Sequence, residues 1–173
     1  MDQPTFSHLL PKLPQQTAFT LLEMLCVIAI ISILALLSLP SYLHRNIRLQ
    51  IEAALPLADI PKTKVAEQYA LLQTFPIDNA AAGLPVPEKY VSLHIKSVTI
   101  NDGVIHLRFG NSAHPLLQDK VISLRPAVVT DAPIVPVAWI CDKANVPDKM
   151  TVHGGNQTSV PKEFMPLFCM ARK

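Results

Sequence analysis

The stretch "AFTLLEMLCVIAIISILALLSLP", residues 18–40, decides the fold. Ten of the residues from Met24 to Leu39 are Leu, Ile or Val, and none of that run is charged. On the insertion scale these ten contribute about −3 to −6 kcal/mol, whereas a mid-membrane carboxylate costs about 2.5 to 3.5 kcal/mol. The segment therefore inserts despite Glu23, and residues 19–43 are long enough to cross about 30 Å of hydrocarbon. The sequence predicts a transmembrane helix with one unexplained acid near its start.

Composition limits what the remainder of the chain does. The 173 residues suffice for one domain plus an anchor, and a net charge of +2 without a Lys/Arg run argues against a dedicated nucleic-acid surface. Of three cysteines, Cys26 lies in the apolar run, while Cys141 and Cys169 lie beyond it. No His/Cys cluster has zinc spacing, so no metal or other cofactor is expected. The outer pair predicts one disulfide in an oxidising compartment, which places the C-terminal domain outside the cytoplasm.

Three ordinary explanations of the apolar run fit poorly. A secretory signal peptide ends in a small-residue cleavage site, but this run continues into Pro40 without one. A lipoprotein signal needs small residues before its cysteine, and Cys26 instead follows Met24 and Leu25. A plain membrane anchor leaves Glu23 without a reason.

The residues around Phe19 resemble the type IV prepilin processing site. Phe19, Glu23 and Pro40 match that family in type and spacing; Ala18 stands where the family usually has Gly. The resemblance implies that residues 1–18 are a leader peptide, that a prepilin peptidase cuts between Ala18 and Phe19, and that the same enzyme methylates the new Phe19 amine. It also implies that Phe19, Glu23 and Pro40 serve filament assembly.

Elementary electrostatics gives a reason for the pair of Phe19 and Glu23. Cleavage before Phe19 creates an α-amino cation at a helix N-terminus, where it opposes the helix dipole and a carboxylate satisfies it. In a bundle of such helices, the amine of one subunit meets Glu23 of a neighbour, and the pair is far less costly to bury than either charge alone. The sequence therefore predicts that the pair checks the register of assembly.

The C-terminal region resembles the disulfide-bounded loop of type IVa pilins. The resemblance is carried by "VPVAWICDKANVPDKM", residues 135–150, followed by "NQTSVPKEFMPLFCMARK", residues 156–173. Phe164, Met165 and Met170 depart from the residues usual at those positions. The pattern again implies a bond between the second and third cysteines of the chain.

Helical spacing continues beyond the membrane. Apolar residues recur on one face, while Pro40 predicts a bend and Pro56 and Pro61 predict a break, after which Thr63–Leu72 resumes helical spacing. The predicted buried face consists of Ile47, Ile51, Ala54 and Leu55. Residues 73–90 are predicted to form a loop.

Strands follow the loop. Asp102-Gly103 predicts a two-residue type I′ turn that pairs Val98 and Ile100 with Leu107 and Ile105 on one face. Further strands are predicted at 120–124 and 135–140. The fold class is therefore α+β: a long N-terminal α-helix, membrane-spanning in its first half, packed on an antiparallel β-sheet, with a C-terminal disulfide-bounded loop.

Isolated polar residues give no catalytic set. The nearest Ser-His-Asp grouping is close only in sequence, which does not define a triad. His94 and His106 are predicted to be solvated residues of the hairpin, without a shared metal, and Trp139 is predicted to belong to the core.

These observations predict a type IV pilin: a structural subunit and not an enzyme. Residues 1–18 are the leader, 19–43 the transmembrane and assembly helix, and 44–173 the globular domain, first in the periplasm with a single pass through the inner membrane and then in an extracellular pilus. Expected partners are further copies, other pilins, and the prepilin peptidase/methyltransferase; host surfaces and DNA are candidates. Adhesion, twitching motility and DNA uptake are all compatible with this prediction, and the chain could be a major or a minor subunit of the pilus.

Two alternatives stay open. The first is a pseudopilin of a type II secretion system, against which the Cys141/Cys169 pair argues. The second is an unprocessed, membrane-anchored periplasmic binding domain.

Overall fold

A computed structural model describes residues 19–171, without the side chains of residues 38–41. The predicted leader, with Ala18 at its end, lies outside the described residues. The chain divides into two compact units, one ending at Leu39 and the other beginning at Pro40. The domain bounds expected from the sequence stay a prediction.

Two α-helices and an antiparallel sheet make up the described chain. The helices are α1, Leu21–Ala54, and α2, Asp59–Leu72, joined by a 3-10 turn at Leu55–Ala58. The strands are β1, Ile95–Asn101; β2, Val104–Phe109; β3, Val121–Val128; β4, Ala138–Cys141; and β5, Thr151–Val152. In the described residues the strand order is β1-β2-β3-β4, with β5 paired to β3 as well.

The predicted break at Pro56 and Pro61 does not occur, because the backbone stays helical to Leu72 through one 3-10 turn. Pro56 lies at the start of the 3-10 turn, and the flanking Ala54 and Asp59 both keep right-handed helical dihedrals. Pro61 lies in the first turn of α2, where a missing backbone N–H costs little. The two prolines therefore tighten the hydrogen-bond pattern for one turn without ending the helix.

The hairpin forms as its sequence predicts. Asp102 and Gly103 both have positive φ, +49° and +76°, as a type I′ turn requires. Val98 lies opposite Leu107, and Ile100 lies opposite Ile105. The predicted register is confirmed, which places these four side chains on the core face.

Two strand boundaries differ from prediction. β3 extends four residues beyond Leu124, because its second half pairs with both β4 and β5. β4 begins at Ala138, three residues later than predicted, since the preceding segment with Pro133 and Pro136 forms a loop. Proline lacks the N–H that a strand ladder uses, which accounts for the late start.

The hydrophobic core lies between the helical segment and one face of the sheet. The helical face predicted from spacing is buried, with Ile47 and Ile51 at 1% and 0% exposure. They share one cluster with strand residues such as Val98, Leu107 and Ile122. The predicted α+β fold, with a helix packed on an antiparallel sheet, is confirmed.

The opposite face of the sheet is covered by residues 153–159, which we name the C-terminal strap. The Gln157 N–H donates to Ser123 Oγ at 2.9 Å, and a Cβ on Gly154 would overlap the Val104 side chain. His106 lies on this face opposite Ser123 and is only 7% exposed. The prediction that His106 is solvated is therefore wrong, because the strap buries it. His94 is half-buried and precedes β1.

Candidate functional site

The candidate assembly surface begins with the first turn of α1. Thr20 precedes the helix, and its Oγ1 accepts a hydrogen bond from the Glu23 N–H at 3.2 Å. The Met24 N–H donates to the Thr20 carbonyl oxygen at 3.2 Å. Thr20 is thus an N-cap, and the Thr-x-x-Glu spacing from Thr20 to Glu23 is the sequence signal for a capping box that our sequence reasoning missed.

Phe19 and Glu23 lie together at this helix start. Glu23 occupies the first turn of α1, where the positive end of the helix dipole favours a carboxylate. Its side chain is exposed, and it is the only charged residue between Phe19 and Leu43. A cation that pairs with Glu23 must therefore come from a chain terminus or from another molecule.

The rest of this surface is an apolar helix with no protected side. Side chains are exposed at every position from Leu21 to Leu37, for example Leu22 at 71%, Ile31 at 58% and Leu37 at 73%. The Ser32 hydroxyl donates to the Ile28 carbonyl oxygen at 2.6 Å, which satisfies that polar group inside the helix. A helix that is apolar all round needs lipid or other helices around it. The helical segment that begins at Leu21 contains a stretch long and apolar enough to cross a membrane.

Pro40 lies within the printed bounds of α1, but its side chain is outside the described part. The structure thus places Phe19 two residues before α1 begins, Glu23 in the first turn of α1, and Pro40 within the bounds of the same helix. Cys26 is a free, exposed cysteine on the apolar surface.

The second feature is the C-terminal region closed by a disulfide. Cys141, at the end of β4, is bonded to Cys169, in the last 3-10 turn, across 28 residues. Both are buried, at 3% and 0% exposure. The bond therefore joins the C-terminal segment to the sheet, and the predicted pairing is present.

Hydrogen bonds hold the strap inside this closed region against β3. The Ser159 N–H donates to the Val121 carbonyl oxygen at 2.9 Å, and the Val121 N–H donates to Ser159 Oγ at 2.9 Å. The Ser123 N–H donates to Thr158 Oγ1 at 3.1 Å. The strap is thus hydrogen-bonded to β3 and is not a free loop.

His106 and Ser123 form a buried polar pair beneath the strap, with His106 Nδ1 and Ser123 Oγ 2.9 Å apart. Because Ser123 Oγ accepts from the Gln157 N–H, its own hydrogen is available for the His106 Nδ1 lone pair. Burial lowers the pKa of His106 below its ordinary value of 6.5. The pair therefore favours a neutral histidine and acts as a structural contact. Sequence alternation alone placed His106 on this face but gave no sign of the strap.

Trp139 is half-buried and packs against the core, in partial agreement with its predicted place. Among the described residues, no group of three His, Cys, Asp or Glu side chains is arranged to hold a metal ion.

Comparison with known proteins gives the family. The chain matches the family described as pilin (bacterial filament) over residues 48–169, and the prokaryotic N-terminal methylation motif over residues 13–39. It is 34% identical over 160 residues to a type IV major pilin protein PilE of Neisseria gonorrhoeae, covering 89% of this chain and 93% of the relative.

Two further relatives agree. A fimbrial protein of Neisseria meningitidis serogroup B is 31% identical over 135 residues, covering 78% of this chain and 77% of the relative. The fimbrial protein EcpC of Eikenella corrodens is 44% identical over 92 residues, covering 52% of this chain and 60% of the relative. The chain therefore belongs to the pilin family, a family of structural subunits, and is a type IV pilin that carries an N-terminal methylation motif.

Proposed function

We propose that this pilin is cut between Ala18 and Phe19 by a prepilin peptidase, methylated at Phe19, and polymerised through α1 into a type IV pilus. The observation that carries the proposal is the apolar helix that is exposed on every side and begins with Glu23 in its first turn. Such a helix is stable in a bilayer before assembly and among copies of itself afterwards. The same apolar surface is covered by lipid before assembly and by neighbouring copies afterwards.

The charge pair supplies the register. Cleavage places the Phe19 amine at the N-terminus of α1, while Thr20 already caps the Glu23 N–H. Methylation keeps the positive charge of the amine, so the amine of one copy pairs with the Glu23 carboxylate of a neighbour. Burial of either charge alone in an apolar bundle is costly, which penalises any other register.

The precursor would span the inner membrane once, with the globular unit in the periplasm, and the assembled filament would be extracellular. The Cys141–Cys169 bond supports this orientation, because such bonds persist in oxidising compartments. The bond also favours a pilus subunit over a secretion-system pseudopilin. Several relatives are named major pilins, which supports an abundant subunit.

A substitution at Glu23 tests this function. Glu23→Val removes the acid and leaves an apolar helix, so we expect normal membrane insertion but loss of filaments sheared from cells. The matched control is Glu88→Val, which removes an exposed acid of the globular unit and should leave the filament yield unchanged. Normal filament yield from Glu23→Val would contradict the proposal.

Mass spectrometry separates the alternatives. Filaments should contain a chain that begins at methylated Phe19, whereas an unprocessed anchored binding domain would keep Met1 in the membrane fraction. Ala18→Gly should be cut at least as fast as the natural sequence.

Host-cell adherence, spreading on surfaces and uptake of DNA by a deletion strain and its complement then identify the output of the filament.

A further inference from the structure

An exposed stripe of the helical segment in the globular unit carries unequal charge along its length. Arg45 and Glu52 are seven residues apart, so they lie on nearly the same side of α1, two turns from each other. Leu49 lies between them and is 51% exposed. Asp59, at the start of α2, extends the acidic end. We name Arg45, Leu49, Glu52 and Asp59 the helix stripe.

Two adjoining clefts follow the helix stripe and meet at Glu52. The first, of about 480 Å³, is lined by Arg45, Leu49 and Glu52 together with Glu163 of the C-terminal segment. The second, of about 380 Å³, runs from Glu52 past Asp59 and has an aromatic wall of Trp139 and Phe168. The helix stripe thus borders both clefts, with Arg45 in the first, Asp59 in the second and Glu52 in both.

Two other charged residues of the clefts have contacts in their own chain. An Arg48 guanidinium nitrogen donates to the Glu163 carbonyl oxygen at 3.2 Å, and Lys62 pairs with Asp59 at 3.0 Å. Arg45 and Glu52 are exposed, and within residues 19–171 neither side chain has an ion-pair partner. The two charges of the helix stripe without an ion pair are therefore of opposite sign and two helical turns apart.

A second copy of the chain satisfies both charges at once. If two copies lie parallel and one is displaced along the helix axis by seven residues, about 10.5 Å, Arg45 of one copy faces Glu52 of the other. The contact joins unlike surfaces, so repeating the same step builds an open filament and not a closed dimer. We propose that Arg45 of one copy pairs with Glu52 of its neighbour in the pilus.

This inference rests on the proposed function and specifies its register. In both pairs the cation precedes the anion along the chain, by four residues for Phe19 and Glu23 and by seven for Arg45 and Glu52.

Charge reversal and its rescue test the pair. Arg45→Glu and Glu52→Arg each place like charges opposite one another, and we expect each to lower the yield of sheared filaments by about tenfold or more. The double reversal Arg45→Glu/Glu52→Arg restores opposite charges and should recover the natural yield. Lys89→Glu is the matched control, since it reverses an exposed cation of the globular unit that has no ion-pair partner among the described residues, and it should not lower the yield.

Cross-linking tests contact directly. In a Cys26→Ser background, filaments that mix Arg45→Cys chains with Glu52→Cys chains should give a cross-linked dimer with a short bis-maleimide reagent, whereas a mixture of Lys96→Cys and Glu52→Cys chains should not. Failure of the double reversal to recover the yield, absence of the dimer, or cross-linking to a different protein would each overturn the pairing. If natural filaments are absent altogether, the proposed function fails instead.

Discussion

The two halves of α1 place isoleucine in different surroundings. Ile31, in the N-terminal unit, is 58% exposed and has apolar neighbours on all sides of the helix. Ile51, in the globular unit, is 0% exposed, and the opposite side of its helix carries charge. The first half lacks a 3.6-residue pattern and needs a surrounding apolar medium, while the second half has the pattern and a core of its own. One helix therefore combines an apolar half that is exposed on every side with a half that is part of a folded core.

The largest expected effect breaks the globular unit and leaves the N-terminal unit intact. Cys141→Ser/Cys169→Ser opens a loop closed across 28 residues, which should lower the free energy of unfolding by about 3.5 kcal/mol on the chain-entropy estimate. Denaturant unfolding of the full chain in detergent micelles measures this, and carbonate extraction of membranes should show unchanged insertion.

The matched control for the disulfide lies on the other half of α1. Cys26→Ser replaces the same residue type where the thiol is free and exposed. We expect no change in the unfolding midpoint of the globular unit. Equal destabilisation by Cys26→Ser would refute the separation of the two halves.

The same substitution in the two halves gives the next effect. Ile51→Ala removes a fully buried side chain and should cost the globular unit about 3 kcal/mol, within the range for buried Ile. Ile31→Ala should leave that unfolding transition unchanged, because Ile31 is 58% exposed and is not part of the buried cluster of described residues. Thermal unfolding of both variants in the same micelles is the measurement, and similar losses would contradict the comparison.

Sequence reasoning succeeded where a local rule determines a contact. Asp102-Gly103 fixed the hairpin register, because a type I′ turn needs positive φ at both residues. The spacing of Ile47 and Ile51 identified the buried face of the second helical half. The disulfide followed from the cysteine count and from the family pattern.

Sequence reasoning failed where a distant segment decides the environment. His106 alternates outward from the core face, yet the strap, about fifty residues later, buries it. Asn79 is 4% exposed in a predicted loop, and its amide bonds Val98 O and Ile100 N at the free edge of β1. No local pattern in the sequence shows that one side-chain amide of a loop makes the backbone hydrogen bonds that a neighbouring strand would otherwise make. Thr20 differs, since its capping signal was present in the sequence.

A smaller effect sharpens the description of the N-terminal unit. Thr20→Ala removes the Oγ1 acceptor of the Glu23 N–H and should destabilise the first turn by about 1 kcal/mol. This loss corresponds to amide exchange that is about fivefold faster in that turn. Thr63→Ala is the control, because Thr63 Oγ1 bonds a carbonyl inside α2 and caps nothing. Exchange at the amides of Glu23 and Met24 in micelles is the measurement. Unchanged exchange would show that Thr20 is not the cap.

The smallest effect concerns pH and belongs to the globular unit alone. Burial lowers the pKa of His106 below 6.5, so the unfolded chain binds the proton first as the pH falls. The stability from neutral His106 is complete above pH 6.5 and declines below it, until the pH reaches the lowered pKa of the folded state. His106→Asn cannot titrate, so its unfolding free energy should fall less than the natural chain's between pH 7 and about 5.

The difference between the two pH profiles isolates His106 from the other histidines. His153, which pairs with Asp102 at 2.7 Å, is present in both chains and cancels in that difference. The N-terminal unit contains no histidine between Phe19 and Leu39, so the difference between the two profiles belongs to the globular unit. Parallel profiles for the two chains would show that the strap opens enough to hydrate His106. The comparison would then fail, because a side chain of the globular unit would be exposed to water as the side chains of the first half of α1 are.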